Sequence, residues 1–386
     1  MKKRFLRDIA EIQTGPFGSQ LHKEDYVDVG TPIVTVEHLG CRVFSEQNLP
    51  MVSDTDKSRL SKYVLKKGDI VFSRVGSVDR CSFVDPKHDG WMFSGRCLRV
   101  RPSEEVDSLF LYYFFCLNTT KEFVRSIAVG ATMPSINTKL LGEVEVVCPE
   151  IEEQRKIADI LSKIDDKIEE NQKINENLEH QSLALFSNYY EKSNTEIDFT
   201  DLIQVLGGGT PKTRESTYWN GNIPFFTPKD VGFPYTLATE KTITEDGLLH
   251  CNSRLYPVNT VFVTARGTVG KVGIAGVPMA MNQSCYALIG KGIHQLLVYF
   301  YTLKAIDRLK HKASGAVFDA IITKDFETEQ VFKLSPNDTD TFIRIVEPMY
   351  QSILNNSIEK QRLIALRDSL LPKLMSGEID ISKLDI

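Results

Sequence analysis

The sequence lacks the features that place a chain in a membrane, in an oxidising compartment or among metalloproteins. No apolar run reaches the ~18 residues that cross a bilayer, and no apolar stretch of signal-peptide length follows the basic start. The seven cysteines are odd in number and scattered, without a CxxC pair, which argues against a disulfide framework or a zinc site. We therefore predict a cytoplasmic protein with reduced thiols, no metal and no membrane partner.

Motifs of catalysis are missing as well. We find no [ND]PP[YF] tetrapeptide to hold a flipped adenine, no Gly-rich loop for S-adenosylmethionine, no HExxH and no paired-carboxylate nuclease pattern. Residues 267–271 resemble a phosphate loop, but Ala265 stands where its first Gly is required and Val272 where Ser or Thr follows the Lys. A strand–turn–strand is the better interpretation. These absences predict no catalytic residues and no cofactor.

An excess of positive charge is absent too, since the net charge is −5. The surplus acid lies in residues 151–192 and 337–386, whereas residues 1–150 and 193–336 are close to balance. Each of the two balanced segments is therefore able to present a basic face to phosphate.

What the sequence does contain is one long unit that occurs twice. The offset between the copies is 192 at Pro32 and Pro224 and 191 at Gly76 and Gly267. Matching blocks in the same order indicate a duplication. The blocks are TPIVTVEHLG (31–40), DIVFSRVGSVDR (69–80) and LYYFF (111–115) in the first copy, and IPFFTPKDVG (223–232), TVFVTARGTVGK (260–271) and LVYFY (297–301) in the second.

Both copies have the pattern of an α+β domain. Short β-branched and aromatic runs bounded by Gly or Pro predict strands at 33–36, 69–73, 144–149 and 260–264. Helical spacing predicts helices around 107–127 and 295–312. The predicted boundaries are 1–149 and 193–336 for the two domains, 150–192 and 337–377 for two long helices, and 378–386 for a tail.

Each long helix carries apolar residues at heptad spacing, and the two registers agree at an offset of 185. Asn171 and Asn356 fall at the same seam position, where a buried Asn costs stability but fixes register. The alternative is that each helix packs only on its own domain. The predicted seams are Ile157, Leu161, Ile164, Ile168, Asn171 and Leu178 in the first helix, and Phe342, Val346, Met349, Ile353, Asn356 and Leu363 in the second.

The order of domain, helix, domain, helix predicts an antiparallel helix pair with one pseudo-symmetric domain at each end. A helix of ~40 residues at about 1.5 Å per residue approaches ~60 Å. Since DNA advances about 3.4 Å per base pair, such a spacer would separate two readers by between one and two turns of one duplex.

Three stretches carry a resemblance to a known family: 152–179 with its EEQRKIADIL start, 207–231, and the terminal QRLIALRDSLLPKLMSGEI (361–379). The chain resembles the specificity subunit of type I restriction–modification systems. The resemblance implies two target-recognition domains separated by an antiparallel two-helix coiled coil, each domain reading one half of a split, asymmetric target in double-stranded DNA. It implies that the coiled coil sets the gap and docks two methyltransferase subunits, which recruit restriction subunits. It also implies that this subunit performs no chemistry.

Base reading needs forked donors and amides on a rigid support, and phosphate contact needs cations and free N–H groups. Three regions of each copy offer them: a Gly-rich loop, the polar residues after the first core strand, and a turn between two strands. The alternatives are an ordinary tight turn, a capping His and surface ion pairs. The candidates are Thr14, Gly15, Gly18, Ser19, Gln20, Thr35, His38, Arg74, Ser77 and Arg80 in copy one, and Gly208, Gly209, Thr210, Lys212, Thr227, Lys229, Arg266, Thr268 and Lys271 in copy two.

Two other functions remain to be weighed against DNA recognition. A self-contained nuclease or methyltransferase would cut or modify DNA on its own, but the required motifs are missing. A non-catalytic protein-interaction scaffold with a coiled-coil core would select no DNA sequence.

Overall fold

The computed structural model describes residues 2–18, 20–232, 234–312 and 320–381. They belong to two compact units: unit 1 is Met1–Lys167 with Leu363–Ile386, and unit 2 is Ile168–Arg362. Within the described part of the chain, every helix is too short or too polar to traverse a lipid bilayer.

Unit 1 is a mixed α/β unit. Its core sheet has the strand order β2-β9-β6-β7, a second sheet has the order β3-β5-β4-β8, and β1 pairs with β10. The elements are β1 (Lys2–Phe5), α1 (Leu6–Ile9), β2 (Ala10–Thr14), β3 (Tyr26–Val27), β4 (Thr31–Val34), β5 (Met51–Val52), α2 (Asp54–Arg59), β6 (Ile70–Ser73), β7 (Cys81–Phe83), β8 (Met92–Phe93), β9 (Cys97–Pro102), α3 (Ser108–Cys116), α4 (Asn118–Ser126), α5 (Thr138–Gly142), β10 (Glu145–Cys148) and the start of α6 (Ile151–Lys192).

Unit 2 repeats this plan. Its core sheet has the order β12-β19-β16-β17-β14, its second sheet β15-β13-β18, and β11 pairs with β20. The elements are β11 (Thr195–Asp198), α7 (Phe199–Leu202), β12 (Ile203–Gly207), β13 (Trp219–Phe226), β14 (Tyr235–Thr236), β15 (Thr242–Ile243), α8 (Glu245–Leu249), β16 (Val261–Thr264), β17 (Val272–Ala275), β18 (Ala280–Met281), β19 (Cys285–Gly290), α9 (Gln295–Lys312), α10 (Thr323–Glu327), β20 (Gln330–Lys333) and α11 (Pro336–Ser376).

The predicted strands are present, and every residue of β6 and β16 is buried, as continuous apolar runs in core strands should be. The strand predicted at 33–36 ends earlier, because Val36–His38 forms a 3-10 turn. The helix predicted around 107–127 is two helices, since Leu117, with a φ of −58° and a ψ of 135°, leaves the helical conformation between α3 and α4. Residues 265–271 form the turn between β16 and β17, as expected for a strand–turn–strand.

In unit 2 the two long helices contact each other and run antiparallel. Asn171 donates to Glu359 at 2.8 Å, and Asn356 donates to Asn175 at 2.9 Å. Further along, the Ser182 hydroxyl approaches the sulfur of Met349 at 3.7 Å. Positions therefore rise along α6 as they fall along α11. The two seam asparagines, Asn171 and Asn356, therefore face different partners, about one helical turn apart along the pair.

In unit 1 the start of α6 and the end of α11 pack into the core. Ile157 and Leu161 share a buried cluster with Leu374 and with Leu6 near the start of the chain. Asp165, also buried, accepts hydrogen bonds from Tyr113 of α3 at 2.7 Å and from Arg367 at 2.8 Å.

The residues proposed for the helix seam differ in burial. The buried ones are Ile157, Leu161, Asn171, Phe342, Val346 and Ile353, and the partly buried ones are Ile164, Ile168, Leu178, Met349, Asn356 and Leu363. Asp165 and Glu179 are buried beside Ile164 and Leu178. Tyr113 and Tyr299 from the neighbouring α/β layers contact these carboxylates, so the inward face of α6 includes positions that a two-helix heptad pattern leaves outside.

Candidate nucleic-acid interface

The turn between β6 and β7 (residues 74–80) and the turn between β16 and β17 (residues 265–271), which we name the central turns, are built in the same way. In unit 1 the Ser73 N–H donates to the Arg80 carbonyl at 2.9 Å, and Gly76 has a φ of 74°. In unit 2 the Thr264 N–H donates to the Lys271 carbonyl at 3.0 Å, with Gly267 at 82°. A positive φ of this kind favours Gly, so the paired glycines fix two turns of equal length.

The Gly-rich loops (residues 14–18 with Gln20, and 207–212) dock against a further turn in each unit, at 94–96 and 282–284. A Cβ on Gly15 would lie 2.1 Å from the carbonyl oxygen of Ser94, and one on Gly208 would lie 2.2 Å from that of Asn282. Only Gly permits these approaches. Gly15 and Gly208 are thus structural equivalents, and the residues that follow them are held in matched positions.

The turns at 35–40 and 227–232, which we name the cap turns, also match. In unit 1 the Thr35 N–H donates to Nδ1 of His38 at 3.0 Å, and His38 Nε2 donates to the Gln47 carbonyl at 3.1 Å. In unit 2 the Thr227 N–H donates to Asp230 at 2.8 Å. Because His38 is buried and both ring nitrogens have protein partners, its arrangement is that of a capping residue.

In unit 1, two arginines join the central turn to its neighbours. Arg80 donates to the Leu39 carbonyl of the cap turn. Arg74 donates through Nη1 to the Gly95 carbonyl at 3.2 Å, and its guanidinium carbon lies 5.5 Å from the centre of the Phe17 ring. The Gly-rich loop, the cap turn and the central turn of unit 1 therefore form one connected surface.

In unit 2 the corresponding turns are joined by hydroxyl groups. Thr268 donates to the Pro228 carbonyl of the cap turn at 3.3 Å, and Thr210 of the Gly-rich loop donates to the side-chain oxygen of Gln283. Lys229 lies 3.9 Å from Glu240, and both side chains are largely exposed.

The described candidates of each copy thus lie on one set of adjoining turns, but they differ in solvent exposure. Gln20 accepts a hydrogen bond from the Tyr63 hydroxyl at 2.7 Å. Ser19 lies outside the described residues. The exposed candidates are Gly18, Ser77, Arg80, Lys212, Lys229, Arg266, Thr268 and Lys271, the partly buried ones Thr14, Gln20, Thr35, Arg74, Gly208, Thr210 and Thr227, and the buried ones Gly15, His38 and Gly209.

Sequence reasoning missed the turns at 94–96 and 282–284 and the side chain of Phe17. The available signal was a polar triplet, Ser-Gly-Arg in one copy and Asn-Gln-Ser in the other, directly before the matched Cys97 and Cys285. The loop at 129–135 also reaches this surface of unit 1, because the Gly76 N–H donates to the Pro134 carbonyl at 2.8 Å. The sequence predicts a further loop near the DNA at 130–137, with a repeat partner at 315–319 because Gly130-Ala131 matches Gly315-Ala316. The partner segment lies outside the described residues.

Guanidinium, ammonium, hydroxyl and amide groups dominate these turns, and they suit hydrogen bonding rather than nucleophilic chemistry. Burial raises the pKa of Cys97 and of Cys285 to about 12. Both thiols are therefore protonated at neutral pH, when only a thiolate would act as a nucleophile.

Comparison with known proteins identifies the repeat. A family model described as the type I restriction modification DNA specificity domain matches residues 1–180 and again residues 192–366. The chain is 26% identical over 311 residues to the type I restriction enzyme MjaIX specificity subunit of Methanocaldococcus jannaschii, covering 74% of this chain and 72% of that protein. It is 23% identical to the HindI specificity subunit of Haemophilus influenzae, with 90% and 92% covered.

A solved structure shares the fold. The type I restriction–modification S subunit from M. genitalium aligns with a TM-score of 0.63 at 18% identity, covering 97% of this chain and 95% of that one.

Proposed function

The chain belongs to the family of type I restriction–modification specificity subunits, and on that premise we propose that its two units read the two halves of a split, asymmetric DNA target. Subunits of this family recognise DNA sequence and are not enzymes. Unit 1 reads one half and unit 2 the other, and the two halves differ in sequence.

One observation carries this proposal: the two units share a backbone frame but present different side chains on it. Arg74 of unit 1 corresponds to Ala265 of unit 2, because their N–H groups donate at 2.8 Å to the carbonyls of Arg96 and Ser284, which lie in the matched turns. A base-reading surface needs a rigid support and variable donors. Two readers with different donors select different bases, so the target is asymmetric.

The cations divide between two roles. Arg266 and Lys271 are exposed on the central turn of unit 2, and Lys212 is exposed on its Gly-rich loop. These cations can neutralise phosphates and give affinity without sequence preference. Arg74 is partly buried and fixed at Gly95, which suits a base contact, because a forked donor held in one orientation discriminates between base edges.

The long helices supply the other part of the proposal. We assign α6 and α11 as an antiparallel coiled coil that sets the gap between the two half-sites and docks two methyltransferase subunits, through which restriction subunits join. The antiparallel contacts within unit 2 and the 42- and 41-residue lengths of the helices support this assignment. The hydrogen bonds of Asn171 and Asn175 to side chains of α11 give the pair a preferred register.

Selection from randomised duplexes by the complex with its methyltransferase partner tests the proposal. We expect the wild-type complex to enrich two short sequences at a fixed gap, and an Arg74→Ala complex to lose preference in one of them only. Failure to enrich any sequence would overturn DNA reading and favour an interaction scaffold. Enrichment of one uninterrupted site would overturn the assignment of one half to each unit.

A further inference from the structure

We propose that Phe17 and Arg74 act as a pair that reads a thymine next to a guanine, with the Phe17 ring on the thymine C5-methyl group and the Arg74 guanidinium on the guanine edge. This inference rests on the proposed function and names the bases for one part of one half-site. An exposed Phe or a surface Arg alone would not support this inference; the contact between the Phe17 ring and the Arg74 guanidinium supports it.

The first step is that Phe17 is exposed on a rigid support. Its side chain is 54% exposed, although the backbone around it is fixed. The Gln20 N–H donates to the Phe17 carbonyl at 2.8 Å, and a Cβ on Gly95 would lie 2.2 Å from the Pro16 carbonyl oxygen. A large aromatic ring held in solvent loses the free energy that burial would give, and a partner that covers it recovers that free energy.

The second step is that Arg74 is oriented by the same support. One of its donors is used on the Gly95 carbonyl, and the guanidinium lies over the Phe17 ring. The remaining donors form a planar fork beside an apolar surface. Arg pairs with guanine O6 and N7, and Phe contacts the thymine methyl group, as preferred side-chain contacts in the major groove.

The third step is that the surroundings favour a base edge over a phosphate as the target. Val129 and Met133, on the neighbouring loop at 129–135, are 62% and 66% exposed. The Ile136 N–H donates to the Arg74 carbonyl at 2.9 Å, which holds this loop beside the pair. Apolar side chains beside a phosphate gain nothing, whereas beside a methyl-bearing base edge they remove apolar surface from water.

Unit 2 shows that the pair is specific to one half-site. Thr210 corresponds to Phe17, since each lies two residues after the matched Gly208 and Gly15, and Ala265 corresponds to Arg74. Thr210 is bonded to Gln283 instead of standing beside an Arg. The equivalent place in unit 2 therefore holds the Thr210 hydroxyl and the Gln283 amide. Recognition of thymine next to guanine is accordingly proposed for unit 1 alone.

The test uses the reconstituted complex with its methyltransferase subunits and the target mapped for it. Each thymine of the half-site altered by Arg74→Ala is replaced in turn by deoxyuridine, which removes only the C5-methyl group. We expect one replacement, next to a guanine, to weaken binding by about fourfold, the worth of one buried methyl group. The Phe17→Ala complex should bind more weakly than wild type and show no further loss with that duplex.

Phe123→Ala is the matched control, because Phe123 is a partly exposed phenylalanine of the same unit, on α4. It should keep the wild-type sensitivity to deoxyuridine. A Phe17→Ala complex that binds weakly yet keeps the methyl sensitivity would overturn the pair and indicate stacking between bases. An Arg74→Ala complex that retains guanine selection would also overturn it, while a wild-type complex with no split target would instead refute the proposed function.

Discussion

Tyr299 donates its hydroxyl hydrogen to the fully buried carboxylate of Glu179 at 2.8 Å, and thereby ties helix α9 of unit 2 to the long helix α6. Tyr350 of α11 donates to the other oxygen of the same carboxylate. Tyr113 makes the corresponding contact with Asp165 in unit 1. In each unit a tyrosine from the α/β layer holds a long helix through a buried acid.

The buried carboxyl group of Glu179 should make the stability of the protein depend on pH. Burial raises the pKa of Glu179, while the hydrogen bonds from Tyr350 and Tyr299 act to lower it. The folded protein keeps the proton on Glu179 to higher pH than the unfolded chain, in which a Glu has a pKa of about 4.3. The contribution of Glu179 to the free energy of unfolding therefore falls as pH rises through the folded pKa. We predict that the free energy of unfolding of Glu179→Gln minus that of wild type increases from pH 4 to pH 7, as measured by thermal melts.

Glu176→Gln is the matched control, because Glu176 is exposed on the same helix. Its difference from wild type measures the effect of removing a solvent-exposed carboxylate from α6. A Glu179→Gln difference that changes with pH no more than the Glu176→Gln difference would show that the buried carboxyl does not lose stability on ionising.

The two arginines near the central turns should act on different half-sites. Arg74→Ala should relax recognition in the half-site of unit 1, at a cost of about 1–3 kcal/mol for a contact bidentate to guanine. Arg266→Ala should weaken binding through unit 2 about equally for all sequences and reduce the salt dependence of binding, because it removes a phosphate contact. Titration of labelled duplex with the assembled complex, together with its methylation pattern, measures both effects. Unchanged affinity and pattern would remove either residue from the interface.

The sequence predicted the doubled frame well, because the positions that build it have strict backbone requirements. Gly76 and Gly267 need a positive φ, and Gly15 and Gly208 face a carbonyl oxygen at a distance that excludes any Cβ. Because only glycine meets these requirements, the glycines recur at matching positions in the two copies and can be recognised in a single sequence. The polar side chains at the turns carry no comparable backbone requirement, so the sequence pattern predicts where they lie but does not distinguish a base contact from a phosphate contact.

The inward face of the long helices was harder to predict. A heptad pattern treats a helix as packing against one partner, but α6 packs against both α11 and the α/β layers. Glu179 is buried because two tyrosines, distant in sequence, satisfy its oxygens. Likewise, His38 could be a base-reading or a capping residue in the sequence, and only the placement of Gln47 shows both ring nitrogens occupied.

A circular permutant should fold and function. Leu371, Leu374 and Ile381 share the buried cluster of unit 1 with Leu6 and Ile9, so the end of the described chain packs in the same core as its beginning. We predict that joining the two ends and reopening the chain at 193–194, before β11, preserves the melting transition and the target of the complex. Loss of folding in that permutant would contradict the antiparallel pairing of the helices.

Lengthening the helix pair should change the gap and nothing else. Four residues inserted after Lys173 and four after Ile358 lie opposite each other in the pair, because Gln172 accepts from Lys360 and Asn175 from Asn356. The insertion adds about 6 Å to the helices, or roughly two base pairs of gap. Target selection should return both half-sites unchanged at a wider gap, and altered half-sites would indicate damage to the units themselves.

Mapping the methylated adenines in DNA exposed to the reconstituted methyltransferase complex tests the central claim most directly. If the two units recognise DNA with different side chains on one backbone frame, methylation should occur within a single bipartite motif that has two unlike halves at a constant gap. Arg74→Ala should relax selection in one half and leave the other half unchanged. Methylation at one continuous site, at a palindromic motif or without sequence preference would contradict the assignment of one half-site to each unit.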